Sequence, residues 1–193
     1  GGWAVRAGPA GTLGAGGTIS FFNILGDTTL AAEWRKPYWD YVEAVLDDAT
    51  RDRLSLVHTI KPDTRLVISG GPNVNRYSVS ARNDVMTTVG FEFDVVYRLL
   101  DAQPFLAIAY GVDGEYERSA KRGFDNQGNF TRLFPLRMTE LHFLSLNGGY
   151  DFTDSTYGEM LVGWGYDRHG GNGPAVEGRL THEFNEHFDA QIR

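Results

Sequence analysis

The sequence predicts an all-β fold, an antiparallel up-and-down transmembrane β-barrel occupying residues 1–193 as a single domain. Three observations predict it: one long hairpin with an apolar and an acidic face, connections that alternate between long and tight, and the lack of any apolar run long enough for a membrane helix.

The hairpin runs from Thr87 to Tyr116, two stretches of period-two alternation joined by Leu99-Leu100-Asp101-Ala102-Gln103-Pro104. Val89, Phe91, Phe93, Val95 and Tyr97 share one face of the first stretch, opposed by Gly90, Glu92 and Asp94. In the second, Leu106, Ile108, Tyr110, Val112 and Tyr116 oppose Ala107, Ala109, Gly111, Asp113, Glu115 and Glu117. Side chains alternate across a strand, so each stretch has one greasy and one small or acidic face. Each is about ten residues or longer, the length a tilted strand needs to cross a bilayer, against a mode of about 5–6 in soluble proteins. Tyr97, Phe105, Tyr110 and Tyr116 near the ends suit interfacial girdles. The same alternation is compatible with a soluble β-sandwich or lipocalin-like barrel acting as a binding module, which would turn the apolar face inward.

Taken in order, Trp3, Val5 and Ala7 predict a short strand broken at Gly8-Pro9-Ala10-Gly11. In the strand from Thr12 to Phe22, Leu13, Ala15, Gly17, Ile19 and Phe21 oppose a face of Gly14, Gly16, Thr18 and Ser20. Gly26-Asp27 turns the chain into Thr28 to Lys36, where Leu30, Ala32 and Trp34 oppose Thr29, Ala31 and Glu33. Pro37 to Arg51 reads as a structured loop with a helical turn or two, since Pro suits a first turn and Tyr38, Tyr41, Val42 and Val45 recur at helical spacing. Strands are expected again at Arg53 to Ile60 and Thr64 to Gly70. A break at Gly70-Gly71-Pro72-Asn73 is expected before Arg76 to Arg82, in which Tyr77, Val79 and Ala81 share a face. Beyond the hairpin, Arg118 to Thr131 reads as a polar loop. Arg137 to Tyr150 is a strand with apolar residues on both faces. It is followed by strands carrying Met160, Val162, Trp164 and Tyr166, then Val176, Leu180, His182 and Phe184, with turns at Asp151 to Asp154 and Asn185-Glu186.

The longer connections, Pro37 to Arg51, Gly70 to Asn75, Arg118 to Leu136 and Asp167 to Gly173, alternate with tight ones at Lys61, Leu99, Asp151 and Asn185. Outer-membrane barrels keep short turns on the periplasmic side and long loops outside. Ten or eleven strands are expected. Bacterial barrels close with an even number, so the chain reads as the larger part of a bigger barrel. The opening Gly1-Gly2-Trp3 likewise reads as an excised piece whose targeting segment lies upstream.

Composition narrows the chemistry. No cysteine is present, which excludes disulfides, thiolate metal sites and cysteine nucleophiles. The net charge of -7 argues against nucleic acid as a partner. A mean hydropathy of -0.31 suits a barrel whose lipid-facing residues are interleaved with polar ones. With the apolar face outward, Glu92, Asp94, Asp113, Glu115, Glu117, Glu159, Glu177 and Glu183 line the inner wall beside Arg53, Arg65 and Arg179. Such a wall attracts cations and repels anions; the bland alternative is an ordinary solvated face. His58, His142, His169, His182 and His187 are scattered without ligand spacing, so no metal and no cofactor is expected. A barrel-embedded hydrolase would need Ser145 with His142, or Ser155 with His182. No Gly-x-Ser-x-Gly elbow supports either pair, and the chain is read as no enzyme.

Trp34-Arg35-Lys36-Pro37-Tyr38-Trp39-Asp40-Tyr41-Val42-Glu43, followed by Asp47-Asp48-Ala49-Thr50-Arg51-Asp52-Arg53-Leu54, resembles the C-terminal outer-membrane barrel of the PelB exopolysaccharide exporters. The strand ending in Arg-x-Pro before a semi-helical loop is also similar to exporters of the BcsC type. The local match covers about twenty residues. The resemblance implies a sixteen-stranded barrel in the bacterial outer membrane, preceded by tetratricopeptide repeats that this chain lacks. It implies a secreted, partly deacetylated and cationic exopolysaccharide as cargo, with the lipid bilayer and periplasmic or outer-membrane secretion subunits as partners. The chain is too short for sixteen strands and lacks a terminal aromatic. The expected polymer-facing residues are Glu92, Asp94, Asp113, Glu115, Glu117, Glu159, Glu177 and Arg179, and Tyr38, Trp39, Tyr41 and Glu43 are expected to form a loop over the pore. A general outer-membrane porin is the alternative.

Overall fold

A computed structural model describes residues 3–7, 13–38, 49–79, 84–100, 102–124, 128–132, 138–185 and 188–192. Among them the chain is all-β and antiparallel, as the alternation predicts. The strands are β1 (Trp3–Ala7), β2 (Leu13–Asn23), β3 (Gly26–Pro37), β4 (Ala49–Ile60), β5 (Leu66–Val79), β6 (Asp84–Leu100) and β7 (Phe105–Ala120). They continue with β8 (Arg122–Phe124), β9 (Phe130–Arg132), β10 (Thr139–Thr153), β11 (Thr156–Asp167), β12 (Asn172–Asn185) and β13 (Phe188–Ile192). Eleven strands form one sheet in the order β1-β2-β3-β4-β5-β6-β7-β10-β11-β12-β13, so successive strands are neighbours; β8 and β9 pair separately. No helix among the described residues is long and apolar enough to cross a membrane.

The chain divides into two compact units. Unit 1 comprises residues 1–59, 70–92 and 114–139; unit 2 comprises residues 60–69, 93–113 and 140–193. In unit 1, register places Ile19 opposite Leu30 and Leu30 opposite Leu56, an apolar row across β2, β3 and β4. All three side chains are exposed, as are Leu54, Val74 and Phe91. The other face is sheltered: Asn73, Asn75, Tyr77 and Val79 of β5 are buried with Met86 and Thr88 of β6. In unit 2, Leu146, Val162 and Val176 form an equivalent exposed row across β10, β11 and β12. Phe93, Tyr97, Ile108 and Tyr110 are exposed too. The sheltered face there carries Ser145, Gly163 and Ala175 in register.

Three expectations about the chain path change. Gly70-Gly71-Pro72-Asn73 does not break the chain, and β5 runs through it for 14 residues. The residue before a proline is driven to extended geometry, which suits a strand. A Cβ on Gly71 would lie 1.7 Å from the Leu56 carbonyl oxygen, so the glycine allows β4 to come close. The long connection expected at Gly70 to Asn75 is therefore absent. Ala49 to Arg51, expected in the loop, belong to β4, where Thr50 and Arg51 stand opposite Pro37 and Lys36. The polar stretch after Arg118 contains the small hairpin of β8 and β9, held by register and by Phe124 packed against Phe130 at 5.3 Å. The helical turns expected within Pro37 to Arg51 fall at residues 39–48, outside the described residues.

Candidate functional site

The sheltered face of unit 1 gathers its polar groups around Glu115. Period-two alternation points Asn75 and Tyr77 of β5, Thr88 of β6 and Glu115 of β7 to the same side. Tyr77 donates its hydroxyl to Glu115 Oε1 at 2.7 Å and Asn75 donates Nδ2 to the same oxygen at 2.8 Å. The Thr88 hydroxyl donates to it as well. One carboxylate oxygen thus receives three donors from two other strands, and bonds to an ionised acceptor are about twice as strong as neutral ones. Asn73 closes in beside them, accepting from Asn75 Nδ2 at 3.0 Å. A Cβ on Gly90 would lie 2.6 Å from Asn73 Oδ1, so this close packing requires glycine there.

Next to this network lies an apolar cluster of Tyr38, Ala49, Tyr77, Val79 and Met86, with Ala120 against it. Tyr38 is 6% exposed. Its ring meets Tyr77 edge-on at 4.9 Å, and its amide donates to the Ala49 carbonyl at 2.9 Å. Such a pair contributes about 0.5–1.5 kcal/mol beyond the area it buries. The hairpin of β8 and β9 is tied to Glu117, which Arg132 Nε reaches at 2.7 Å and Arg122 Nη2 at 3.8 Å. Tyr38, one of the four expected loop residues, therefore sits inside rather than over the sheet face; Trp39, Tyr41 and Glu43 lie outside the described residues.

The other expected acidic residues of unit 1 are ion-paired. Glu92 meets Arg53 at 3.4 Å. Outside the expected set, Glu33 holds both Arg51 at 2.9 Å and Lys36 at 2.5 Å. The Glu33 cluster is not visible in the sequence pattern, because it depends on Arg51 lying in β4 opposite Lys36. Beside it, Gly14, Gly16, Thr18 and Ala31 floor a cavity of about 320 Å³.

In unit 2, Glu159, Glu177 and Arg179 come together at a cavity of about 260 Å³ that also includes Asn147. Glu159 and Arg179 stand opposite in register with their charges 3.3 Å apart, and Tyr157 donates to Glu159 at 3.2 Å. Asp94 and Asp113 are both exposed, and their carboxylates are close enough to repel. Asp94 Oδ1 fills the space over Gly111, where a Cβ would approach it to 2.7 Å. Glu183 is exposed and stands opposite Asp189.

Three histidines join strands on the exposed face, and His169 lies in the turn after β11. His58 Nδ1 bonds Thr28, His142 Nδ1 bonds Tyr110 and His182 Nδ1 bonds Thr156, each at 2.8 Å. His187 is outside the described residues. Among the described residues no three His, Asp or Glu side chains are grouped to hold a metal. Ser145 and His142, three residues apart on one strand, point to opposite faces. Ser155 pairs with Thr153 at 3.4 Å, while His182 is engaged by Thr156.

These features define a class by fold alone: an all-β, antiparallel, up-and-down sheet with an exposed apolar face. The chain matches no protein-family model, no curated protein and no solved structure.

Proposed function

We propose that this chain forms wall strands of an outer-membrane β-barrel that passes a secreted exopolysaccharide, of the cationic Pel-like type, through an acidic lumen. The observation that carries the reading is the inverted distribution of apolar side chains. Among the described residues six hydrophobic side chains are buried, whereas rows such as Ile19, Leu30 and Leu56 or Leu146, Val162 and Val176 stand exposed. Soluble monomers rarely expose such contiguous patches, and a bilayer would cover them. Strands of 11 to 17 residues support a spanning role, since a tilted strand needs roughly 9–11. Exposed Trp34, Trp164, Tyr166, Tyr150 and Phe152 near strand ends suit interfacial girdles.

On the face opposite the apolar rows the acids divide by role. Glu115 and Glu117 hold the wall and its hairpin together. Asp94, Asp113, Glu159 and Glu177 are the groups a cationic sugar chain would meet, with Arg179 paired to Glu159. The outer-membrane bilayer and periplasmic or outer-membrane secretion subunits are the proposed partners. The barrel supplies passage and electrostatic selection, with no chemistry of its own.

The test replaces Asp94, Asp113, Glu159 and Glu177 together with Asn or Gln in the full-length protein. Extracellular polymer should fall severalfold while the assembled barrel stays at its normal level in the outer membrane. Unchanged export with these four neutralised would remove the acidic-track reading.

A further inference from the structure

The exposed face of unit 1 carries arginines at the strand ends nearest the β3–β4, β5–β6 and β7–β8 connections. Arg35, Arg76 and Arg118 are all exposed there, and Arg76 and Arg118 make no ion pair among the described residues. Their levels follow from contacts within the unit. Arg35 donates its amide to Asp52 Oδ1 at 2.7 Å. Gly71 packs on Leu56 and Val57, so Arg76, five residues further along β5, comes level with Asp52 on β4. Gly90 faces both Asn73 of β5 and Gly114 of β7. From that level Arg76 lies three residues, and Arg118 four residues, towards the connections. With neighbouring strands about 5 Å apart, the three strands that carry these arginines follow one another at about 10 Å.

Arg35 is built into this row at a conformational cost. Its φ of 50° lies in the left-handed region at the register shift between Glu33 and Lys36. Bulges of this kind re-aim a side chain, and a non-glycine residue held there needs its surroundings to over-determine it. The result is a guanidinium 5.6 Å from the Trp34 ring centroid, both groups exposed. On β7, Tyr116 stacks with Phe91 at 6.4 Å two residues from Arg118. Aromatic rings mark the level at which a bilayer meets water, and the apolar rows of Leu30, Leu56, Val74 and Phe91 begin directly beneath. Among the described residues Asp52 is the opposing charge beside the row, and one of its oxygens is already taken by the Arg35 amide.

We propose that Arg35, Arg76 and Arg118 form a row that binds the phosphates of anionic lipid headgroups on the outward face of unit 1 beside Trp34. Three guanidinium groups above an apolar band match a molecule with phosphate at one end and acyl chains at the other. Guanidinium suits phosphate because its forked donors meet two oxygens at once. The site rests on the bilayer reading above.

The test reconstitutes the full-length protein into vesicles of equimolar phosphatidylcholine and phosphatidylglycerol, extracts it with mild detergent, and measures the lipids it retains. The wild type should retain phosphatidylglycerol over phosphatidylcholine roughly fivefold or more above the bulk ratio, as clustered arginines at an anionic surface allow. The R76Q/R118Q variant should retain both near the bulk ratio, and R35Q should fall between. Resistance of the folded band to unfolding in detergent on a gel checks that the variants are assembled. Vesicle-bound wild type that retains lipids at the bulk ratio, or R76Q/R118Q that keeps the enrichment, overturns this site alone. Protein that does not float with vesicles overturns the bilayer reading and the site together.

Discussion

Glu115→Ala should cost the folded protein about 3 kcal/mol or more, because Tyr77, Asn75 and Thr88 all direct donors at the removed carboxylate. Tyr77 and Thr88 have no measurable exposure and Asn75 only 2%, so water cannot replace the lost acceptor without repacking. Each buried donor left unsatisfied costs about 1–3 kcal/mol. Glu115→Gln keeps an acceptor oxygen and should lose about half as much. Glu183→Gln, at an exposed position, should change stability by less than about 0.5 kcal/mol. The measurement is the urea midpoint of the refolded protein in detergent. A double-mutant cycle with Tyr77→Phe should give a coupling of about 1 kcal/mol or more. Equal midpoints for wild type and Glu115→Ala would show that the network is not what holds β5, β6 and β7 together.

The second large effect concerns passage. Tyr38→Ala should raise single-channel conductance severalfold in planar bilayers, since its buried ring occupies the sheltered face over Tyr77. Tyr38→Phe keeps the ring and should conduct as wild type. Arg132→Gln should produce a smaller increase, because Arg122 still reaches Glu117 after the 2.7 Å contact is lost. Pairs this sheltered are screened less by salt than surface pairs, so the Arg132 effect should persist as ionic strength rises. An unaltered conductance in Tyr38→Ala would mean that its ring does not obstruct the path.

The hairpin of β6 and β7 was legible because its alternation is long and uninterrupted: Phe91 and Phe93 are exposed while Thr88, Gly90 and Glu92 turn to the sheltered side. β5 was misread because Gly-Gly-Pro is local punctuation, and only the approach of Leu56 reveals why the strand needs Gly71. Tyr77, Val79 and Met86 could not be placed from pattern alone, since they are apolar yet lie on the sheltered face. They pack in one cluster with Tyr38, about 40 to 50 residues earlier in the chain. β8 and β9 are three residues each, too short for any periodicity. The acidic residues of the candidate track were visible as a set. That Glu115 ties three strands together was not, because it acquires its donors only through cross-strand register.

The orientation of the two faces is the claim on which the rest depends, and the absence of native cysteine allows a direct reading of it. Single cysteines placed at Phe93, Ile108 and Val162, and separately at Asp94, Asp113 and Glu177, are introduced into the full-length protein in vesicles. They are reacted with a charged, membrane-impermeant maleimide and, in parallel, labelled with a fluorophore quenched by brominated lipid. The account predicts that the first three are quenched by brominated acyl chains and resist the maleimide, while the second three react with the maleimide and escape quenching. The reverse pattern would contradict it.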